Sequence, residues 1–202
     1  MFDDGLIAAK LRRWEKYLEN YRLPSWEEIP DIGLYMEQVV VVLRQYLDYL
    51  PPELKDEQCI TAASINNYVR TRVMPKPVKK RYYRTHLAYL IMICSLKQGM
   101  SIPLISRLIP ATLSGEELRA VYTSYTARHR RSAQYFAREV RGVAAPILGH
   151  EEIPESAVER TEDLIVSSAV VGSFARLLAE KLVLLEGKTA ADAETGPQGK
   201  DR

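Results

Sequence analysis

Residues 59–84 read CITAASINNYVRTRVMPKPVKKRYYR, and this stretch splits into a helix start, a helix and a basic extended segment. Thr61 is a good N-cap, because its hydroxyl can accept from an early backbone N–H of the helix that follows. Helical periodicity then puts Ala62, Ile65, Tyr68 and Val69 on one side. Ser64, Asn66, Asn67, Arg70 and Thr71 fall on the other. That outer side carries hydrogen-bonding groups and no acid, the side chains that pair with base edges and phosphates. Pro75 and Pro77 exclude helix and bias the backbone to extended or turn forms. The segment beyond them carries Lys76, Lys79, Lys80 and Arg81, followed by Tyr82, Tyr83 and Arg84.

Charge is segregated around this stretch. Between Gln58 and Gly115 there are nine Lys or Arg and no Asp or Glu, so the remaining chain holds 19 of the 28 basic residues against all 26 acidic ones. The island is +9, the remainder −7, and the whole chain only +2. Such asymmetry points to a polyanionic partner.

Working outward, Leu11, Trp14, Tyr17, Leu18 and Tyr21 place a helix over 6–21, ended by Pro24. LPSWEEIPDIG is an ordered connector with Trp26 as a packing anchor. A second helix over 35–50 is apolar nearly all round, which predicts burial on more than one side, with Asp31 in its N-cap region. PPELKDEQ follows as a polar loop. Thr85 to Gln98 forms a strong helix through Leu87, Leu90, Ile91, Ile93, Cys94 and Leu96, with Gly99 expected in a left-handed cap. Ser101 caps a short helix with Pro103 early in it. Ser114 with Glu116 and Glu117 starts a long helix to about Val143, whose middle, ARHRR, is basic. A last helix from near Pro154 to Glu186 repeats Leu164, Val171, Leu178 and Leu185 every seven residues, with Ser168, Ala175 and Leu182 four later. This short heptad seam suits a dimer interface at Leu164, Val171, Ala175, Leu178, Leu182 and Leu185 as well as an internal bundle contact. Residues 188–202 have the composition of a disordered tail.

Several function classes find no support. Cys59 and Cys94 are too few and too isolated for a disulfide framework or zinc site, so no metal and no cofactor is expected. His86, His129 and His150 are scattered, and no nucleophile–base pair, HExxH motif or phosphate-binding glycine loop is present. The expectation is therefore a non-enzyme. His86, beside the basic loop, is expected to make a local or backbone contact, and His150 with Glu151 and Glu152 to sit in an exposed loop. The N-terminus lacks the layout of a secretory signal, and the longest uncharged C-terminal run is shorter than the ~20 residues that span a bilayer. A cytoplasmic protein with no membrane contact is expected.

The order polar-faced helix, basic loop with tyrosine, Leu/Ile helix and short capped helix resembles the winged helix-turn-helix of the MerR family of transcription regulators. ASINNYVRTRVMPKP matches that family's recognition helix and its exit, KKRYYRTHLAYLIMICSLK its wing and following helix, and MSIPLI the short helix after it. The family's glycine after the recognition helix is Arg72 here. LPSWEEIPDIGLYMEQVV followed by SINNYV and PKPVKKRY is also similar, and more closely, to an uncharacterised family of Gram-positive bacteria, a domain of unknown function covering roughly residues 20–115.

The MerR resemblance implies an all-α fold. It would comprise an N-terminal helix and connector (1–30), a MerR-like winged helix-turn-helix (31–112), a helical dimerisation or regulatory region of two long helices (113–187) and a tail (188–202). It implies Tyr68 at the end of the recognition helix and Lys80, Arg81 and Tyr82 in the wing. The expected function is sequence-specific binding of double-stranded DNA by a homodimeric transcriptional regulator, with the door open to a small-molecule or protein effector. Asn66, Asn67 and Arg70 would read bases beside Ser64 and Thr71. Lys79, Lys80, Arg81 and Arg84 would hold phosphates, with Lys76 and Tyr82 beside them among the DNA-binding residues. Two rivals remain: a protein-interaction module on the same fold, and a single-stranded nucleic-acid binder using Tyr82 and Tyr83 as stacking platforms.

Overall fold

A nine-residue run of buried side chains, His86 to Cys94, marks the helix that the rest of the chain encloses. In the computed structural model, residues 4–49 and 60–184 are described. Cys59, the polar segment before it, Leu185 and the tail therefore lie outside the described residues. Among the described residues eight helices follow in order: α1 (Asp4–Asn20), α2 (Met36–Tyr46), α3 (Ala62–Arg70), α4 (Arg84–Leu96), α5 (Ile102–Leu108), α6 (Gly115–Val143), α7 (Ala145–Leu148) and α8 (Thr161–Leu184). The expected helical class stands. Extended structure among the described residues is confined to two antiparallel bridges, Leu34 with Tyr82 and Val78 with Arg81.

Helix α4 was expected to bury one face, but Ala88, Tyr89 and Met92 are enclosed as completely as Leu87, Leu90 and Ile91. Its neighbours α2, α5 and α6 leave no side open to water. The reverse correction applies to α2. Val39 and Leu43 are fully buried while Val41 is 55% exposed, so this helix is amphipathic despite its run of valines. Its N-cap is Tyr35, whose N–H donates to Gln38 Oε1 at 2.9 Å. Asp31 instead lies 3.9 Å from Arg84. Gly99 is not left-handed; the chain leaves α4 through 3.0 Å bonds from the N–H groups of Gly99 and Met100 to Leu96 O. Among the described residues the left-handed glycine is Gly149, at φ 71°, after α7.

The long helix α6 begins where expected, with the Ser114 Oγ accepting from Glu117 N and the Glu117 carboxylate accepting from Ser114 N. It runs beside α1 and α4. Tyr122 is fully buried and its hydroxyl donates to Pro24 O at 2.9 Å, fastening the connector. Trp26 packs edge-on against the same ring, the anchoring role expected of it. A second, smaller core joins Ala8, Ala144, Leu148 and Leu164. The last helix starts at Thr161 rather than near Pro154 and packs on α5.

In the ARHRR segment the three arginines are exposed while His129 turns inward. Its ring lies within an aromatic cluster, 6.0 Å from Tyr21, 5.5 Å from Tyr49 and 6.0 Å from Tyr125 between centroids. Nδ1 is buried without a hydrogen-bond partner. Burial lowers the His129 pKa from 6.5, so the unfolded chain takes up a proton before the folded one. Stability is therefore complete above pH 6.5 and declines as pH falls below it toward the depressed folded value. Urea midpoints are expected to drop between pH 7.5 and 5.5 in the native chain and to change less in His129→Phe. An equal drop in both proteins would place the titration elsewhere.

Candidate functional site

The basic stretch folds into a helix and a hairpin on one side of the core. Helix α3 is capped as its sequence indicates: Thr61 Oγ1 accepts from Ser64 N at 3.0 Å. Ile65 and Tyr68 are buried against the main core, and Ala62, expected beside them, is exposed. On the outer side Asn66, Asn67, Arg70 and Thr71 are exposed, and Arg70 donates to Asn67 Oδ1 at 2.7 Å. Ser64 is drawn into the cap and half-buried, its Oγ receiving a 3.0 Å bond from Thr61.

The exit from α3 explains the residue standing where glycine was expected. Arg72 has φ 59°, the left-handed conformation that glycine adopts without strain. Its N–H donates to Val69 O at 3.2 Å, and the N–H of Val73 to Tyr68 O at 2.9 Å. These two bonds make a Schellman closure with arginine in the glycine position. An L-residue there costs about 1–2 kcal/mol. Arg72→Gly is expected to stabilise the fold by about 0.5–1 kcal/mol, because lost strain outweighs the backbone entropy that glycine adds. A melting curve checks it; no gain would mean the turn is not strained.

A tight hairpin follows. Val78 and Arg81 exchange both backbone bonds, at 3.0 and 2.9 Å, across the two residues Lys79 and Lys80. Both lysines have positive φ, 50° and 62°. This is the I′ pattern of two-residue hairpins, usually built from Asn-Gly. Tyr82 then pairs with Leu34 through bonds of 2.8 and 2.9 Å, adding a third extended segment. Among the described residues, the three non-glycine residues with positive φ are Arg72, Lys79 and Lys80, all cationic.

Arg81 is exposed but fixed. Its guanidinium lies 4.4 Å from the centre of the Tyr35 ring, donates to the Tyr35 hydroxyl at 2.7 Å and to Gly33 O at 3.1 Å. Gly33 makes room: a Cβ there would come within 2.7 Å of Arg81 Cδ. Lys76, Lys79 and Lys80 are exposed, with no ion pair or side-chain hydrogen bond among the described residues. Elsewhere arginines find carboxylates, as in Arg22–Glu28 at 2.5 Å and Arg119–Glu27 at 2.6 Å. The Arg22 guanidinium holds the Glu28 carboxyl down at about 2.

Two expected site residues point elsewhere. Tyr82 is 3% exposed, packed edge-on to His86, and its hydroxyl pKa is raised by burial. Its alternation with Arg81 along the extended segment sends it into the core, so it offers no surface to a ligand. Arg84 is turned toward the connector, donating from Nε to Ile29 O at 2.9 Å beside Asp31. His86 makes the backbone contacts expected of it. Its Nδ1 accepts from Tyr83 N at 3.0 Å, so Nε2 carries the proton and donates to Lys76 O, also at 3.0 Å. The ring thereby ties the hairpin's entry to the first turn of α4. Sequence periodicity gave no sign of the Gly33–Tyr35–Arg81 arrangement, in which Arg81 lies 48 and 46 residues from its two partners.

Along the last helix, Leu164 is spent in the second core, while Val171 is 62% exposed and Ala175 is exposed. Leu178 and Leu182 continue α8, and Leu185 falls beyond the described residues. No group of three or more His, Cys, Asp or Glu that could hold a metal occurs among the described residues, and none of their helices is long and apolar enough to cross a membrane. Cys94 is buried in the main core.

No curated protein and no solved structure matches the chain. One family, described as a domain of unknown function, DUF1836, matches residues 24–125, which hold the connector, α2 to α5, the hairpin and the start of α6. The chain belongs to the DUF1836 family.

Proposed function

We propose that the protein is a sequence-specific, double-stranded DNA-binding transcriptional regulator acting as a homodimer on a MerR-like winged helix-turn-helix. In this reading α3 is the recognition helix, presenting Asn66, Asn67 and Arg70 to base edges, and Val78–Arg81 is the tip of the wing. The observation that carries it is the set of cations at Arg72, Lys79 and Lys80, held in left-handed backbone where glycine or asparagine would be less strained. Strain kept at exposed, charged residues is what a binding role accounts for. The role of Arg84 in this scheme is to brace the connector, and that of Tyr82 to seat the hairpin.

Single-stranded binding loses part of its support, because of the tyrosine pair it relied on the Tyr82 ring is enclosed and Tyr83 is half-buried. Competition between duplex and single-stranded DNA of equal length tests the choice. The duplex is expected to win; tighter single-strand binding would overturn the assignment, and no binding to either would favour a protein-interaction module.

Self-association draws support from α8, which leaves Ile165, Val166, Val171 and Leu177 more than half exposed along one helix. Sedimentation is expected to give a dimer for the native chain and a monomer for Val171→Glu, whose position makes no contribution to either core. A dimer that survives this change would move the interface off Val171.

A further inference from the structure

The segment between α7 and α8 folds back on the end of α6 and leaves a hollow there. Two backbone bonds fix it in place. His150 N donates to Ala145 O at 2.9 Å, and Val158 N to Val143 O at 2.8 Å. Pro154 closes on the helix at Gly142, where an added Cβ would lie 3.7 Å from its Cγ. The hollow has a volume of about 1110 Å³, just above the range of about 300–1000 Å³ usual for small-ligand sites. Its charges are divided by wall. Arg138 and Arg141, neighbours on one face of α6, line one side, and Glu151 and Glu152 line the side formed by the loop. His150 adds a half-buried imidazole to the loop side. Among the described residues Arg138, His150, Glu151 and Glu152 make no ion pair or side-chain hydrogen bond. Arg141 lies 3.5 Å from Glu15, which is not part of the lining. Opposite charges that share a hollow and stay apart leave room for a molecule that bridges them.

We infer that this hollow binds a short peptide by its two free ends, the carboxylate on Arg138 and Arg141 and the ammonium on Glu151 and Glu152. Arginine meets a carboxylate through paired, parallel N–H bonds. An ammonium brings three donors, and two ionised glutamates offer four acceptor oxygens. A purely anionic ligand would set its charge against the glutamates, and a purely cationic one would meet the arginines in the same way. The volume exceeds what one free amino acid fills, and Ile153, 62% exposed at the lining, offers apolar contact to a side chain between the two ends. The site lies beyond residues 24–125, which match the family, and does not rest on the DNA-binding function.

Thermal unfolding of the full chain tests this with a pool of random-sequence tripeptides whose ends are free. The same pool N-acetylated, the same pool C-amidated and a mixture of the free amino acids are the comparisons. Recognition of the two ends does not depend on sequence, so the pool behaves as one ligand. With a Kd of about 1 mM for the ends alone, a pool at about 5 mM is expected to raise Tm by about 3 °C. Blocking either end, or supplying single amino acids, should remove most of that rise. Arg138→Gln should respond to the free pool no more than the native chain does to the amidated pool. Glu151→Gln combined with Glu152→Gln should respond no more than the native chain does to the acetylated pool. No rise with the free pool, an equal rise with either blocked pool, or a native response in both variants overturns the site. An equal rise with free amino acids overturns the peptide as its ligand.

Discussion

Replacing Lys79 with Asn and Lys80 with Gly is expected to make the protein more stable and a much weaker DNA binder. The two effects have separate causes. Both lysines sit at positive φ in a two-residue turn, and Asn-Gly is the pair that such a turn accommodates best. Relief of left-handed strain in L-residues, less the backbone entropy that glycine introduces, is worth about 2 kcal/mol in total. For a chain of this length that is a rise in Tm of about 6 °C. Losing two phosphate contacts should lower duplex affinity about 50-fold at 0.1 M salt and flatten the log–log salt slope by about 1.8. A variant that gained stability and bound DNA as before would show that these lysines are tolerated strain with no part in binding. A variant that melted lower would contradict the turn geometry.

His86→Leu is expected to destabilise the fold by about 3 kcal/mol, because one change orphans two backbone groups. The Tyr83 N–H loses its acceptor at the start of α4, and the Lys76 carbonyl loses its donor at the entry to the hairpin. A loss of about 9 °C in Tm follows. Gln at this position can restore the acceptor for Tyr83 N–H as part of a capping box, so His86→Gln should recover part of the loss. A native-like melting curve for His86→Leu would mean that water replaces both bonds and that the ring is not the tie between hairpin and helix. Duplex binding should weaken with it, through movement of Lys76 and its neighbours rather than through loss of charge.

Much of this architecture was legible in the sequence, where local signals and tertiary packing agree. Thr61 and Ser114 mark helix starts because a capping side chain acts within its own first turn. The α3 faces separate because Ile65 and Tyr68 recur at helical spacing. Three readings failed where the decisive neighbour is remote. The burial of α4 on all sides depends on which helices surround it, so its sequence could not distinguish one apolar face from total enclosure. Arg84 counts as a free cation in sequence until Ile29 and Asp31 are brought to it. Tyr82 looks like a stacking residue until strand alternation, fixed by its pairing with Leu34, turns it inward. The hairpin itself was hidden because Lys-Lys carries no turn signal, its strain being overridden by the pairing on either side. The glycine missing after α3 was the most informative departure, since Arg72 keeps glycine's conformation while adding a charge.

The most direct test of the central proposal is the affinity of the unmodified chain for random-sequence duplex DNA across a salt series. Five exposed cations, Arg72, Lys76, Lys79, Lys80 and Arg81, each displacing a counterion, give an expected log–log slope of about −4.5 per protomer. A steep linear decline near that value supports a phosphate-binding basic face. No measurable binding at low salt, or an affinity indifferent to salt, would contradict it.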